Sequence, residues 1–316
     1  MSSPRVSVVV ATFNRLAFLR RALESVFEQT FSDWNLIIAD DGSGEETRAY
    51  LRSLRTPPRV DVIELAHSGN PGAVRNAALR KASGEYVAFL DSDDVWVPTK
   101  LERQLAALSA SGRRWSYTGY TRIDASGREC VYPGTRQWVP YRGFIFDQLL
   151  MFEAEVSTPA VLVERRVLDE HGGFDEQQTV FEDYELWLRI ALHHEIELVD
   201  EPLVQLRSHD QHYDCAGIPR ASGRHRLLSR MHRYVTDPQA RAAVQRLRAQ
   251  VALELANVQC EGHRLAALGT LLSGGAYSWH QAQWWTAACR TALKAVVPRA
   301  VLAAYRRNRV PTVPTA

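Results

Sequence analysis

Val6–Ala11 reads VSVVVA, a short β-branched run of the kind buried on both faces of a parallel sheet. A polar turn, Thr12-Phe13-Asn14-Arg15, follows it, and Leu16–Gln29 then sets Leu19, Leu23, Val26 and Phe27 at helical spacing. The alternation repeats. A strand over Leu36–Ala39 runs into Asp40-Asp41-Gly42-Ser43, and Glu45–Leu54 is helical. Val60–Leu65 reads as a third strand, Gly72–Ala82 as a helix, and Tyr86–Leu90 as a fourth strand ending in Asp91-Ser92-Asp93-Asp94. Pro98 then opens a helix through Leu108, as proline suits a first helical turn. This β-α-β-α order predicts a doubly wound, mostly parallel α/β sheet. Such sheets bind ligands beyond the carboxyl ends of their strands, and the polar clusters after strands one, two and four fall at that edge.

The pattern changes after about residue 112. Trp115–Ile123 and Glu129–Tyr132 read as strands around an Ala125-Ser126-Gly127 turn, Phe144–Phe152 as a short helix and Ala160–Val163 as a strand. Glu182–His193, EDYELWLRIALH, is a helix with Leu186, Leu188, Ile190 and Ala191 available to a core, and LVQLR before Arg207-Ser208-His209 is a strand. Beyond Ile218 the pattern is helical throughout: roughly Arg224–Val235, Pro238–Cys260, Arg264–Leu272 and Tyr277–Arg307, with Ser273-Gly274-Gly275 as a break. The expected organisation is an α/β domain over 1–217, divided near 112 and 113, and a C-terminal helical appendage over 218–316.

Composition adds an asymmetry. Net charge over the 316 residues is +2, too small to point to nucleic acid. Met1–Gly217 nevertheless carries a net −10 and Ile218–Ala316 a net +12, and of the 38 basic residues 35 are arginine. Cys130, Cys215, Cys260 and Cys289 are scattered without metal spacing, which suits a reducing, cytoplasmic compartment. The N-terminus lacks a signal-peptide layout, and no run of 18 purely apolar residues argues for a spanning helix.

Five clusters could carry chemistry. Asp91 and Asp93, two apart, share one face of an extended segment, and three clustered carboxylates call for a cation or a solvated turn. Mg²⁺ or Mn²⁺ takes such oxygen donors; helix capping uses the same residues. Asp40 could accept from a nucleobase edge, or Asp41 or Ser43 could simply cap a helix. His67–Asn76, HSGNPGAVRN, leads into a helix start that favours anions, with Arg75 one turn inside. Glu182-Asp183 opens a helix, as a cap or as a general base with its orienting partner. His209, or less favourably His212, could ligate a metal or touch phosphate.

In order, VVVATFNR, IIADDGS, GNPGAVRNAAL, YVAFLDSDDVWVPTKLERQ, GGFDE, EDYELWLR and RSH resemble the family 2 inverting glycosyltransferases of GT-A fold over about Val6–His209. The resemblance implies Thr12 beside the nucleoside, Asp40 on the base (often uracil), Arg75 on base or diphosphate, and Asp91 on the ribose or sugar. It implies Asp93 on the Mn²⁺ or Mg²⁺ cofactor, Asp183 as catalytic base, Glu182 supporting it or touching acceptor, and His209 completing the metal shell. The resemblance implies a nucleotide-sugar donor, UDP-linked by family precedent, and as acceptor a glycan, lipid-linked or small-molecule hydroxyl. The QxxRW run of processive synthases is missing: Gln281-Ala282-Gln283-Trp284-Trp285 does not fit it, so single transfers are expected.

Two other classes compete. A sugar nucleotidyltransferase should carry a glycine-rich loop after its first strand, and ATFNR has no glycine. A non-catalytic nucleotide- or glycan-binding scaffold need not keep Asp93 and Asp183 together. In the tail, Trp284, Trp285, Ala288, Ala292 and Val296, flanked by Arg290, Lys294, Arg299, Arg306, Arg307 and Arg309, form either an anionic-membrane surface or a packing or homo-oligomer contact.

Overall fold

The computed structural model of the protein describes residues 3–56, 59–131, 138–208, 218–278 and 281–296. His209, His212, Cys215, Arg299, Arg306, Arg307 and Arg309 lie outside them. The chain divides into two compact units, Met1–Tyr213 and Asp214–Ala316.

The first unit is built on one eight-stranded sheet. In chain order its elements are β1 (Val6–Thr12), α1 (Leu16–Phe27), β2 (Trp34–Asp40), α2 (Glu45–Leu54), β3 (Val60–Glu64), α3 (Pro71–Leu79), β4 (Tyr86–Asp91), β5 (Val95–Trp96), α4 (Lys100–Ser111), β6 (Trp115–Ile123), α5 (Phe146–Leu150), β7 (Leu162–Glu164), α6 (Arg165–His171), α7 (Glu182–Ala191) and β8 (Ile196–Arg207). The strand order is β3-β2-β1-β4-β7-β6-β8-β5. The first four strands are parallel, and β1 is buried along almost its whole length, as its unbroken apolar run requires.

Register places the polar clusters side by side. Thr12 pairs with Asp40 and Ala11 with Asp91, so the last residues of β1, β2 and β4 form one row at the carboxyl edge. Beneath this row Gly84 crosses against β1. A Cβ there would lie 2.5 Å from the Ser7 nitrogen, so only glycine fits. Ser7 Oγ accepts the Gly84 N–H at 2.9 Å and donates to Asn35 Oδ1 at 2.7 Å, tying β1 to β2 and to the start of β4.

The second half of the sheet is less regular than the pattern predicts. β7 is only three residues long and pairs antiparallel with both β4 and β6. It follows a 3-10 turn over Thr158–Ala160, where a strand from Ala160 was expected. Glu129 makes one bridge to Ile123 rather than opening a strand, and 132–137 lie outside the described residues. Pro98 stands before the Thr99 N-cap of α4, not at its first turn. α6 was not foreseen, because seven residues give too little periodicity to read.

Among its described residues the second unit holds four helices, α8 (Ile218–Tyr234), α9 (Pro238–Gln259), α10 (Arg264–Ser278) and α11 (Ala282–Val296). Asp237 caps α9, accepting the Ala240 N–H at 2.8 Å. α10 runs straight through Ser273-Gly274-Gly275, where a break was expected. The glycines serve packing instead: a Cβ at Gly274 would lie 2.8 Å from the Trp284 ring, and one at Gly275 2.7 Å from Trp285. Trp284 and Ala288 are buried with Ala249, Ala256, Ala267 and Leu271, and Trp284 Nε1 donates to the Ala249 carbonyl at 2.7 Å. These two residues therefore belong to the unit's own core rather than to an open apolar surface. Among the described residues no helix is long and apolar enough to cross a membrane.

Candidate active site

A cleft of about 330 Å³ opens at the carboxyl edge of the parallel strands, lined by Thr12, Phe13, Arg15, Asp41, Asp91 and Asp93 among others. Its floor is the row set by strand register. Its walls are loops whose backbones are unusual: Asn14 and Arg15, just after β1, have φ of 56° and 55°. Two adjacent non-glycine residues in the left-handed region are held there by bonds on both sides. The Asn14 N–H donates to Ser43 Oγ at 2.6 Å, and Asn14 Oδ1 accepts the Gly44 N–H at 2.9 Å.

The two aspartates after β2 separate in role. Asp40 is fully buried and accepts the Ser43 N–H at 3.1 Å. Asp41 lines the cleft and accepts from the Ser68 N–H and hydroxyl at 2.8 Å each, and from the Gly69 N–H at 2.9 Å. Burial pushes the Asp41 carboxyl up, but the Ser68 and Gly69 hydrogen bonds and the neighbouring His67 outweigh it and hold it below its usual range. Neither aspartate caps α2, whose N-cap is Gly44. Phe13 and His67 stack at 4.0 Å over this end of the cleft.

After β4 every carboxylate has a cationic or backbone partner. Asp91 Oδ1 accepts from Arg75 at 2.6 Å. Asp93 pairs with the Arg15 guanidinium. Asp94 accepts the Arg207 N–H at 2.7 Å, and its burial, with Asp93 and Asp91 close by, drives its carboxyl well above the usual range.

Arg75 joins the two halves of the unit. It lies on α3, buried, and its other nitrogen donates to Glu182 Oε1 at 2.8 Å. Burial disfavours its charge, but Asp91 and Glu182 more than offset this, and it stays cationic. Burial, and then the charge of Asp183, push the Glu182 carboxyl up to about 7, against the pull of Arg75. Phe181, at the N-cap of α7 with φ 66°, turns the chain so that Glu182 and Asp183 enter the helix at its positive end. Asp183 accepts the Thr158 hydroxyl at 2.7 Å on one oxygen and the Tyr184 N–H at 2.7 Å on the other. α7 is anchored by Glu185 and Arg189, a buried pair at 2.7 Å whose guanidinium also donates to the Gly173 carbonyl at 2.7 Å.

Thr12, Arg75, Asp91 and Asp93 thus line one cleft, and Arg75 links it to Glu182, next to Asp183. Asp40 lies beneath it, and His209 is outside the described residues. Arg15, Asp41 and His67 lie inside the quoted motifs but carried no assigned role in the site there. Thr158 had no signal in the sequence, since its partner is 25 residues away.

The carboxylate oxygens of Asp91 and Asp93 in a cleft suit a hard divalent ion. Thr12 Oγ1 is buried without a hydrogen-bond partner beside them, an orphan that a bound group in the cleft would satisfy.

Comparison with known proteins decides the family. The model described as "Glycosyl transferase family 2" matches residues 7–172. The chain belongs to that family. An "Uncharacterized glycosyltransferase" of Rickettsia bellii (strain RML369-C) is 29% identical over 205 residues, 64% of this chain but 29% of that protein. The chain therefore spans about a third of the length of such relatives. The Escherichia coli protein named "UDP-Glc:alpha-D-GlcNAc-diphosphoundecaprenol beta-1,3-glucosyltransferase WfgD" is 27% identical over 195 residues, 62% of this chain and 73% of its own. Among solved structures, S. aureus TarS 1–349 in complex with UDP-GlcNAc superposes with a TM-score of 0.66 at 18% identity, over 96% of this chain and 92% of that one. The mannosyltransferase PcManGT from Pyrobaculum calidifontis, in complex with GDP-Man and Mn²⁺, does so with 0.59 at 18%, over 97% and 89%. At that identity the likeness is one of fold, and this family 2 chain shares the GT-A fold with them.

Proposed function

We propose that the chain moves a sugar from a nucleoside diphosphate sugar, UDP-linked, to an acceptor hydroxyl with inversion at the anomeric carbon. The observation that carries this reading is the Arg75 bridge, which holds Asp91 at the donor edge and Glu182 beside Asp183 in one buried network. An in-line displacement needs the acceptor's base opposite the leaving diphosphate, and the link through Arg75 from Asp91 to the Glu182-Asp183 pair supports placing the base there.

In this reading Asp183 takes the acceptor proton. Thr158 and the Tyr184 N–H orient its carboxylate. Glu182, protonated part of the time near neutrality, positions Arg75 and faces the acceptor. Phe13, Thr12 and Asp40 or Asp41 would receive the nucleoside, and Asp91 the ribose or sugar. Asp93, with Asp91, would hold Mn²⁺ or Mg²⁺, whose charge would neutralise the departing diphosphate. Arg15 would then pass from Asp93 to a diphosphate oxygen. Single displacement requires no covalent sugar–enzyme bond and turns an α-linked D-sugar donor into a β-linked product.

A lipid-linked acceptor is the class we favour. The name of the E. coli relative includes a diphosphoundecaprenol acceptor. α11 exposes Trp285, Leu293 and Val296 beside Arg290 and Lys294, and neither α10 nor α11 contains an acid. The proposal includes a cytoplasmic site of action at an anionic membrane surface.

A thermal-shift panel of nucleoside diphosphates with Mn²⁺ or Mg²⁺ tests the donor. UDP with metal should raise the unfolding midpoint most, and UDP-sugars should then be hydrolysed slowly without acceptor. A panel without any metal-dependent shift would contradict the reading.

A further inference from the structure

A second cluster of donors lies at the other edge of the sheet. Glu170 and His171 end α6, and His194 follows α7. Their ligand atoms all lie within 4.8 Å of one another, and among the described residues no other group of three or more His, Cys, Asp or Glu converges in this way. His194 Nε2 is 3.5 Å from Glu170 Oε2. His171 Nε2 is buried without a hydrogen-bond partner, while its ring meets that of His194 edge-on at 5.4 Å. Glu170 is held from outside by Arg114, whose two terminal nitrogens donate to its oxygens at 3.0 and 2.9 Å and whose Nε reaches Glu164 at 2.7 Å.

This cluster is separate from the cleft. Glu164 pairs with Tyr86, the first residue of β4, whereas Asp91 is the last. Five residue steps along β4 separate the two ends, roughly 16 Å.

We propose that Glu170, His171 and His194 bind a borderline divalent ion of the Zn²⁺ class. Two imidazoles and one carboxylate match that ion's preferred donors and exclude Mg²⁺ or Ca²⁺, which take oxygen. Three protein ligands leave a fourth position for water. An oxygen of Glu170 turns to the ion while the other stays on Arg114, which orients it as an outer partner does in metal sites. The orphaned His171 nitrogen gains a partner. The ion links the end of α6 to the end of α7. Arg189 of α7 already donates to the carbonyls of His171 and Gly173 in the turn between those helices. Binding therefore stiffens the support of the helix that begins with Glu182 and Asp183.

The test uses the tag-free full chain, titrated with ZnCl₂ by calorimetry with UDP and Mg²⁺ present to cover the donor cleft. One ion per chain is expected, with a rise in unfolding midpoint. His194→Ala and Glu170→Gln, both at partly exposed positions, should weaken Zn²⁺ by about tenfold or more; Asp93→Asn should leave it unchanged. Co²⁺ in place of Zn²⁺ should give the visible bands of a four-coordinate site in the wild type and not in His194→Ala. No Zn²⁺ binding by the wild type would overturn the proposal. So would equal affinity in the His194 and Glu170 variants, or loss confined to Asp93→Asn. Because the site is read out by metal alone, its failure would leave the sugar-transfer reading untouched.

Discussion

Glu182 connects the electrostatics of the site to the stability of the fold. Its carboxyl, ordinarily near 4.5, is pushed up to about 7 by burial and by Asp183. Below pH 4.5 it is protonated in folded and unfolded chains alike, and the site contributes no pH dependence. Between 4.5 and 7 the unfolded chain releases the proton while the folded chain keeps it, so folding weakens as pH rises. Above 7 both are ionised and the loss levels off. At ~1.4 kcal/mol per tenfold change, stability at this one position should fall by about 2–3 kcal/mol from pH 5 to pH 8. Glu182→Gln cannot titrate. It keeps the shape and one acceptor for Arg75, so its offset from wild type should change over the same range. Urea unfolding of both proteins, followed through the buried Trp115 and Trp187 of the first unit, measures this. The variant should gain about 2–3 kcal/mol on the wild type between pH 5 and pH 8. Parallel pH profiles would instead make Glu182 an ordinary ion pair with Arg75, ionised over the whole range.

Arg15→Ala removes the guanidinium from Asp93 while leaving the carboxylate in place. Mn²⁺ binding without nucleotide, read from the free-ion EPR signal, should tighten by no more than about fivefold because Arg15 is partly exposed; UDP binding with metal should weaken. Gly84→Ala sets a Cβ against the Ser7 backbone at 2.5 Å and should destabilise the first unit by about 1–3 kcal/mol, visible in urea midpoints.

The parallel half of the sheet was legible because each strand and its following polar turn are contiguous. TFNR, DDGS and DSDD then meet by register alone, with Thr12 against Asp40 and Ala11 against Asp91. Helix α7 was legible from its apolar spacing. What escaped depends on distant partners. Arg75 reads as a donor contact one turn into a helix, yet its second carboxylate is Glu182, 107 residues on. Arg15 and Asp93 are 78 apart. The Glu185–Arg189 pair sits at helical spacing, but its reason lies in the Gly173 carbonyl. Gly274 and Gly275 carry the usual mark of a break. Only the tryptophan rings against them explain why α10 continues.

Asp183 is the residue proposed to take the acceptor proton. Asp183→Asn preserves an acceptor for the Thr158 hydroxyl and the fold around it. Once a donor and acceptor pair is in hand, transfer by this variant should fall by about 10²–10⁴-fold, the range that general-base catalysis contributes. Its UDP–metal affinity by calorimetry should stay within about twofold of wild type, because nucleotide and metal contacts are untouched. Transfer within a few-fold of wild type, at normal donor affinity, would rule Asp183 out as the base.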